Sequence, residues 1–106
     1  MFVACNAVLK LKFQGLHSTV VKNVVADDII DFLFQERVLE VCEMHALHVM
    51  NDQKQQCRAL LTLLHMSENP KAFVSLYRAI TNEPQLEWLI NQIDEFSLGN
   101  CQFVGV

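Results

Sequence analysis

Apolar residues recur along this chain at the spacing of α-helices. Two segments carry them at positions i, i+3, i+4 and i+7, namely Cys57, Leu60, Leu61 and Leu64 in the first and Leu86, Leu89, Ile90 and Ile93 in the second. Such spacing places apolar side chains on one face of a helix. It predicts one helix over residues 53–66, after a break and cap at Asn51 and Asp52, and another that starts at Glu83 and Pro84.

Asn69 and Pro70 predict the start of a further helix, which ends near Thr81. Asn69 can cap the first unpaired backbone N–H groups, and Pro70 suits the first helical position because its missing N–H would be unpaired there. The apolar stripe that follows consists of Phe73, Leu76, Tyr77 and Ile80. We therefore expect a helix that begins sharply and faces the core.

The N-terminal half of the chain predicts three more helices. The first spans about residues 2–23, with a kink or break near Gly15. The second begins at Asp27 or Asp28, whose carboxylates can cap it and complement its dipole. The third runs from about Glu40 to Met50. The apolar residues of these three segments are Val3, Ala7, Val8, Leu11, Leu16 and Val20, then Ile29, Ile30, Phe32, Leu33 and Phe34, then Val41, Met44 and Leu47.

The composition fits a single helical domain. The chain has 106 residues, of which 52% are hydrophobic, and this is enough material for one core. Three glycines and two prolines are too few to separate the many short strands of a sandwich or barrel. Together with the periodicity, this composition predicts six helices joined by short connections. Residues 97–106 lack helical periodicity, which predicts a tail or the start of a linker.

Net charge, hydropathy and cysteine usage narrow the partners and the compartment. A net charge of −4 argues against nucleic acid as the main partner. No apolar run reaches the roughly 18–20 residues that span a bilayer, and the apolar start has no basic lead-in of a signal peptide. Irregular spacing predicts that the cysteines are buried free thiols in a reducing, cytoplasmic setting. These are Cys5, Cys42, Cys57 and Cys101.

The chain offers little that points to an enzyme. It has no Gly-rich phosphate loop, nucleophile elbow, Cys-x-x-Cys or His-Glu-x-x-His motif, so we predict no catalytic residue and no cofactor. Cys42, His45 and His48 follow one another in steps of three, which drift only about 60° around a helix. A metal site there is an alternative, but no second cluster supplies the fourth ligand that structural zinc takes.

We interpret the larger aromatic residues as core and core-rim packing, and Trp88 is the one that would serve as an interface anchor if it were exposed. These residues are Phe32, Phe34, Phe73, Tyr77 and Trp88.

Several of these segments resemble one known family. The words Pro70-Lys71-Ala72-Phe73, with the stripe that follows, resemble the fifth helix of caspase recruitment domains, particularly those of caspase-2-like initiators and their adaptors. Residues 29–33 and then 37–39 are similar to that family's second helix and the turn after it, and Glu43-Met44 falls where its third helix begins. The resemblance covers roughly residues 8–95. It implies an all-α, six-helix antiparallel death-fold bundle with a kinked first helix in residues 1–96.

Charges are segregated along the chain. Between residues 27 and 43 there are six acidic side chains and one base, Arg37. Segment 2–23 instead carries Lys10, Lys12 and Lys22 without an acid, and Lys54 and Arg58 lie one helical turn apart. Single residues of this kind are usually solvated helix faces or caps. The segregation as a whole predicts poles of opposite sign, which allow head-to-tail docking between domains.

The family resemblance assigns a role to these poles. It implies a basic patch of Lys10, Lys12, Lys54 and Arg58 that meets an acidic patch of Asp27, Asp28, Asp31, Glu40 and Glu43 on a partner. The partner would be another caspase recruitment domain, and repeated docking would give a ring or an open helical oligomer. The expected function is non-catalytic assembly of a caspase-activating or innate-immune signalling complex. The module is shared by initiator caspases, adaptors and Apaf-like ATPases, so all three remain open for the full protein.

Three alternatives to this interpretation remain at the level of sequence. Another death-fold interaction domain, of the death effector or pyrin type, would be favoured by an unkinked first helix. A second alternative, of a different class, is a helical regulatory module bound to the ATPase of an oligomerising platform. A small metal-binding or redox protein would use the cysteines and histidines.

Overall fold

A computed structural model describes residues 5–96, which form seven α-helices and one 3-10 turn and contain no strand. The helices are α1 (Asn6–Gly15), α2 (His17–Asn23), α3 (Ala26–Gln35), α4 (Val41–His48), α5 (Gln53–Met66), α6 (Ala72–Thr81) and α7 (Glu87–Glu95), with the 3-10 turn at Pro84–Leu86. The all-helical prediction is confirmed. The predicted tail at 97–106 and the first residues of segment 2–23 lie outside the described residues.

The predicted kink at Gly15 is confirmed as the break between α1 and α2. Leu16 separates the two helices with φ −104° and ψ 19°, outside the α-helical region. The ring of Phe96, which follows α7, lies over Gly15 so closely that an added Cβ would collide with it. The absence of a side chain at Gly15 therefore lets the end of α7 pack against the α1–α2 corner.

The core is built around α5 and α6. α6 packs against α1, α3 and α7, and α5 packs against α2, α3 and α4. The stripes predicted for these two helices are buried: Cys57, Leu60, Leu61, Leu64, Phe73, Leu76, Tyr77 and Ile80. Phe73 also meets Phe13 of α1, with the ring centroids 5.8 Å apart. Residues predicted from periodicity alone thus form one continuous core.

The start of α6 differs from the prediction. Its N-cap is Lys71 and its first residue is Ala72, so the prediction that Pro70 is the first helical residue is wrong by two positions. Residues 69–72 form a tight turn instead, in which the Ala72 N–H donates to the Asn69 carbonyl oxygen at 3.2 Å. The Asn69 side chain accepts only from the Lys71 N–H, at 2.8 Å. It closes this turn and does not cap the helix.

The cap of α6 comes from the other end of the sequence. Asn6, in the first turn of α1, accepts the backbone N–H groups of Phe73 and Val74 on its Oδ1, at 2.7 and 3.3 Å. By contrast, α5 is capped as predicted, because Asp52 accepts from the N–H groups two and three residues ahead. A cap supplied by a distant helix leaves no local sequence signal, which explains why the α6 cap was assigned to Asn69.

The two aspartates at the start of α3 serve its dipole and do not cap it. The helix begins at Ala26, with Val25 as N-cap and no side-chain cap bond, so the prediction of an Asp27 or Asp28 cap is wrong. Both carboxylates lie in the first turn, where negative charge is stabilised by the helix dipole. The prediction that these carboxylates complement the dipole of the helix therefore stands.

Four residues assigned to apolar stripes are exposed, among them the small Ala7. The larger Leu11, Phe34 and Val41 keep 46%, 39% and 62% of their surface open to solvent, so the assignment of all four to the core side is wrong. Leu11 lies between the buried Leu9 and Phe13, about 200° around the helix from each, and therefore points outward. The apolar stripes are narrower in the fold than the sequence predicts, because each helix buries only the side that meets its neighbours.

Arg37 is the described non-glycine residue with a positive φ, 65°. It follows the C-terminus of α3, where the Val38 N–H donates to the Leu33 carbonyl oxygen at 2.9 Å, as in a Schellman motif. The buried Val38 and Leu39 follow it directly. Arginine therefore occupies a backbone conformation that glycine adopts at lower cost.

We expect Arg37→Gly to raise the free energy of unfolding by about 0.5–1 kcal/mol, since relief of the left-handed strain outweighs the added freedom of the unfolded chain. Urea denaturation followed by circular dichroism measures this change. Arg37→Ala removes the same exposed side chain without relieving the strain and is the matched control. Equal stability of the two variants would contradict the prediction, because relief of the strain would then only offset the added freedom of the unfolded chain.

Candidate protein-interaction surfaces

The acidic patch residues lie on α3 and at the start of α4. Asp27, Asp28 and Asp31 are exposed on α3, and Glu40 and Glu43 stand at the N-terminus of α4. The Glu40 backbone N–H donates to Glu43 Oε1 at 2.9 Å, the arrangement of a capping box. The two glutamates therefore stabilise α4, in addition to any role at a surface.

A histidine bridges two of these acids. His48, at the end of α4, has its Nδ1 2.9 Å from Asp27 Oδ1 and its Nε2 3.0 Å from Asp31 Oδ1. The aspartates are four residues apart and so lie on the same side of α3. We call these three side chains the aspartate–histidine clamp. It ties the C-terminus of α4 to the first turns of α3.

A buried glutamine extends the clamp to α5. Gln56 is 3% exposed, and its Nε2 donates to the Leu47 carbonyl oxygen at 3.0 Å and to Asp27 Oδ1 at 3.3 Å. A side-chain amide has two N–H groups, so both of its donors are used. Among the described residues, no buried side-chain nitrogen or oxygen lacks a partner. Gln56 therefore anchors three helices at one point.

The pKa values of the clamp shift in opposite directions, and both shifts favour the charged pair. Hydrogen bonds to Asp31 and then Asp27 raise the pKa of His48 above its usual 6.5, against a smaller opposing effect of burial. Hydrogen bonds from His48 and then Gln56 lower the pKa of Asp27 below 3.8. The carboxylates of Asp27 and Asp31 remain 59% and 75% exposed, so solvent screens the pair and its contribution to stability is small.

Two residues of the predicted basic patch meet on one side of the bundle. Lys54 and Arg58 of α5, together with His17 and Lys22 of α2, line a shallow depression of about 90 Å³. We call these four residues the basic depression. Gln56 lies two positions from both Lys54 and Arg58, about 200° around α5. The basic depression and the clamp therefore lie on opposite sides of this helix.

The other two predicted bases are placed differently. Lys10 and His17 are close enough to His65 for their charges to lower the pKa of that histidine, although burial of the His65 ring is the larger cause. Lys12 instead reaches the C-terminal turn of α7, where its Nζ donates to the Asp94 carbonyl oxygen at 3.3 Å. Lys10 thus lies near His65, as does His17 of the basic depression, whereas Lys12 serves the end of another helix.

A groove of about 770 Å³ runs between α6 and α7 and is also bordered by Phe32. On its wall the Tyr77 hydroxyl donates to Asp94 Oδ1 at 2.6 Å, and burial, followed by this bond to the carboxylate, raises the pKa of Tyr77 to about 12. Arg78 Nη1 reaches Glu36 Oε1 at 3.4 Å. One hydrogen bond therefore joins two side chains of the groove, Tyr77 and Asp94, and Arg78 connects the groove to Glu36 at the end of α3.

The exposure of Trp88 shows that the aromatic residues do not all pack in the core. Phe73 and Tyr77 are buried as predicted, but Trp88 on α7 is 42% exposed. Placing it in the core was wrong, because α7 buries Leu89 and Ile93 while the adjacent position 88 points away from them. An exposed indole is available as an interface anchor.

The cysteines and histidines do not converge. Among residues 5–96, no group of three or more His, Cys, Asp and Glu side chains is arranged to hold a metal ion. The three described cysteines are free, but Cys5 and Cys42 are exposed, so the prediction that they are buried is wrong. Burial raises the pKa of Cys57 to about 11, which keeps its thiol protonated near neutral pH. This gives no support to the metal-binding or redox alternative, and Cys101 lies outside the described residues.

No helix in the described part of the chain has the length and apolar character needed to cross a membrane.

Comparison with known proteins identifies the family. A bundle of short helices with separate acidic and basic surfaces is typical of helical interaction domains. The model of the caspase recruitment domain family matches residues 11–92, and the chain belongs to this family. Searches of curated proteins and of solved structures find no match. As a family member, the domain is a homotypic protein-interaction module and not an enzyme, and its partners are other caspase recruitment or death-fold domains.

Sequence reasoning missed three residues of these surfaces. Lys22 was recognised as a base but left out of the patch, although its position in a segment without acids was a usable signal. His17 and His48 carried no signal of their own. His48 was considered only as a metal ligand, because its aspartate partners come from another helix and become neighbours only in the fold.

Proposed function

We propose that this domain, residues 1–96, assembles a caspase-activating or innate-immune signalling complex by docking its bases onto the acidic patch of another caspase recruitment domain. Residues 97–106 would then be a tail or the start of a linker, and the domain would act in the cytoplasm. The docking bases are Lys10, Lys54 and Arg58. Opposite charge orients the partners and speeds their encounter more than it adds affinity.

The placement of the charges on α5 supports this proposal most directly. Lys54 and Arg58 share the basic depression with two residues of α2, while Gln56, on the other side of α5, holds Asp27 of the acidic patch. A domain with complementary surfaces on opposite sides makes heterologous contacts, which build rings or open helices by repetition. A second copy of this chain is therefore a suitable partner for the test.

We expect the wild-type domain to self-associate at low salt, and Arg58→Glu or Asp31→Lys to make it monomeric with an unchanged circular dichroism spectrum. Each reversal destroys one surface and leaves the other intact. A mixture of the two variants should therefore form a dimer that cannot extend, because each dimer contains one intact pair of surfaces. Sedimentation velocity distinguishes monomer, dimer and larger oligomers.

Two exposed charges that belong to neither patch supply matched controls for the self-association test. Lys71→Glu makes the same change as Arg58→Glu at the start of α6, and Glu95→Lys makes the same change as Asp31→Lys at the end of α7. Both should self-associate like the wild type. Association retained by Arg58→Glu and Asp31→Lys, or equally lost in the controls, would contradict docking through these two patches.

A further inference from the structure

The aspartate–histidine clamp has a hydrogen-bonding pattern that fixes its charge. Both ring nitrogens of His48 lie within 3.0 Å of a carboxylate oxygen. An ionised carboxylate only accepts hydrogen bonds, and a neutral imidazole has a single N–H. Two such bonds at once therefore need the doubly protonated, positively charged ring. When His48 loses its proton, one of the two bonds must break.

The charges around His48 come from one helix. Asp27 and Asp31 on α3 are the charged groups that act on it, and the element packed on its other side, α5, contributes the neutral amide of Gln56 through Asp27. On its own helix the nearest other histidine is His45, one turn earlier and exposed. Protonation of His48 is thus coupled to the two aspartates of the acidic patch.

We propose that His48 is an internal competitor for the acidic patch, which occupies Asp27 and Asp31 at low pH and releases them to a cationic partner as pH rises. This inference rests on the proposed function, because it assumes that the acidic patch receives basic side chains. The protonated ring adds a positive charge next to the two carboxylates and uses their inward-facing oxygens. Deprotonation removes both effects, so the patch becomes more negative and more accessible.

The direction with pH follows from the bonds themselves. The clamp stabilises the fold fully when His48 is protonated in both the folded and unfolded states, below about pH 6.5, and this contribution is lost as pH rises through the higher folded pKa. Binding of a cationic partner to the acidic patch changes in the opposite sense, because it strengthens as pH rises over the same range. The two effects therefore distinguish a competitor from a residue that only holds α4 against α3.

The test uses hexa-arginine, a probe that needs no partner protein. We expect the wild-type domain to bind it about two- to fivefold more tightly at pH 8.5 than at pH 5.5, the range of an exposed ion pair. His48→Ala should bind tightly at both pH values and His48→Lys weakly at both. His45→Ala should keep the wild-type dependence. Isothermal titration calorimetry at low salt measures the eight dissociation constants, two for each of the four proteins.

The inference would be overturned if binding of hexa-arginine by His48→Ala depended on pH as it does in the wild type. It would also be overturned if His48→Ala bound hexa-arginine more weakly than the wild type at pH 5.5. A direct measurement does not depend on any variant folding. NMR titration of the His48 imidazole resonances should give a pKa above the usual 6.5, and a value at or below 6.5 would also overturn the proposal. Failure of the proposed function would leave a different signature, namely self-association that survives Arg58→Glu and Asp31→Lys.

Discussion

Phe73→Ala should remove a large part of the domain's stability. Phe73 is 1% exposed, and its ring lies 5.8 Å from that of Phe13 on α1 and 4.8 Å from the ring of His65 on α5. It therefore joins three helices. Truncating a buried phenylalanine costs about 3–5 kcal/mol, because transfer energy and aromatic contacts are lost and a cavity is left. A domain of this size has a total stability of only about 5–15 kcal/mol.

Phe34→Ala is the matched control for this substitution. Phe34 also lies on a helix, but it is 39% exposed and should cost less than about 1 kcal/mol when truncated. Urea denaturation followed by circular dichroism gives the free energy of unfolding of both variants. Similar midpoints for Phe73→Ala and Phe34→Ala would show that the aromatic contacts around residue 73 do not hold the bundle together.

The comparison with Arg58→Glu separates fold from function. Arg58 is exposed and lines the basic depression, so its reversal should leave the unfolding midpoint nearly unchanged while removing self-association. Phe73→Ala should lose both properties together. The segment from Asn69 to Ile80, which resembles the family most closely in sequence, thus determines the fold, whereas the proposed docking depends on charges elsewhere.

Helix positions and the core were predictable because both follow from local periodicity. The stripe of Leu60, Leu61 and Leu64 defines one face of α5 wherever that helix packs, and a glycine inside a helical pattern marks the break that follows Gly15. What could not be predicted depends on contacts between distant segments. The cap of α6 by Asn6 joins residues that are 67 positions apart. The exposure of Trp88 depends on which side of α7 meets its neighbours.

The candidate surfaces were also predictable only in part. Net charge by segment identified the acids of α3 and the bases of α5, because charge is additive along the chain. Which charges are neighbours is a property of the fold. Lys12 was grouped with Lys54 by sign, but it lies against the C-terminal carbonyl of Asp94. A histidine with its usual pKa of about 6.5 is mostly neutral at pH 7, so His48 adds nothing to the charge of its segment. Its place among the acids emerges only when α4 packs on α3.

Asn6→Ala should destabilise the domain by about 1–2 kcal/mol, the cost of a lost helix cap. The Asn6 side chain is half-buried and its Oδ1 accepts two N–H groups at the start of α6, from Phe73 and Val74. Alanine would leave these donors without the acceptor, in a place where water reaches them poorly. The α1–α6 contact would also lose its polar link. Hydrogen exchange should then accelerate at the amides of residues 73 and 74 ahead of the rest of α6.

Asn6→Asp distinguishes a cap from a simple space-filling role. Aspartate keeps the accepting oxygen and adds negative charge at the N-terminus of α6, where the helix dipole favours it. We therefore expect Asn6→Asp to be at least as stable as the wild type at neutral pH and to lose that advantage when its carboxyl is protonated in acid. If Asp and Ala at this position destabilise equally, the Oδ1 bonds contribute nothing, and the first turn of α6 must be stabilised by its buried stripe alone.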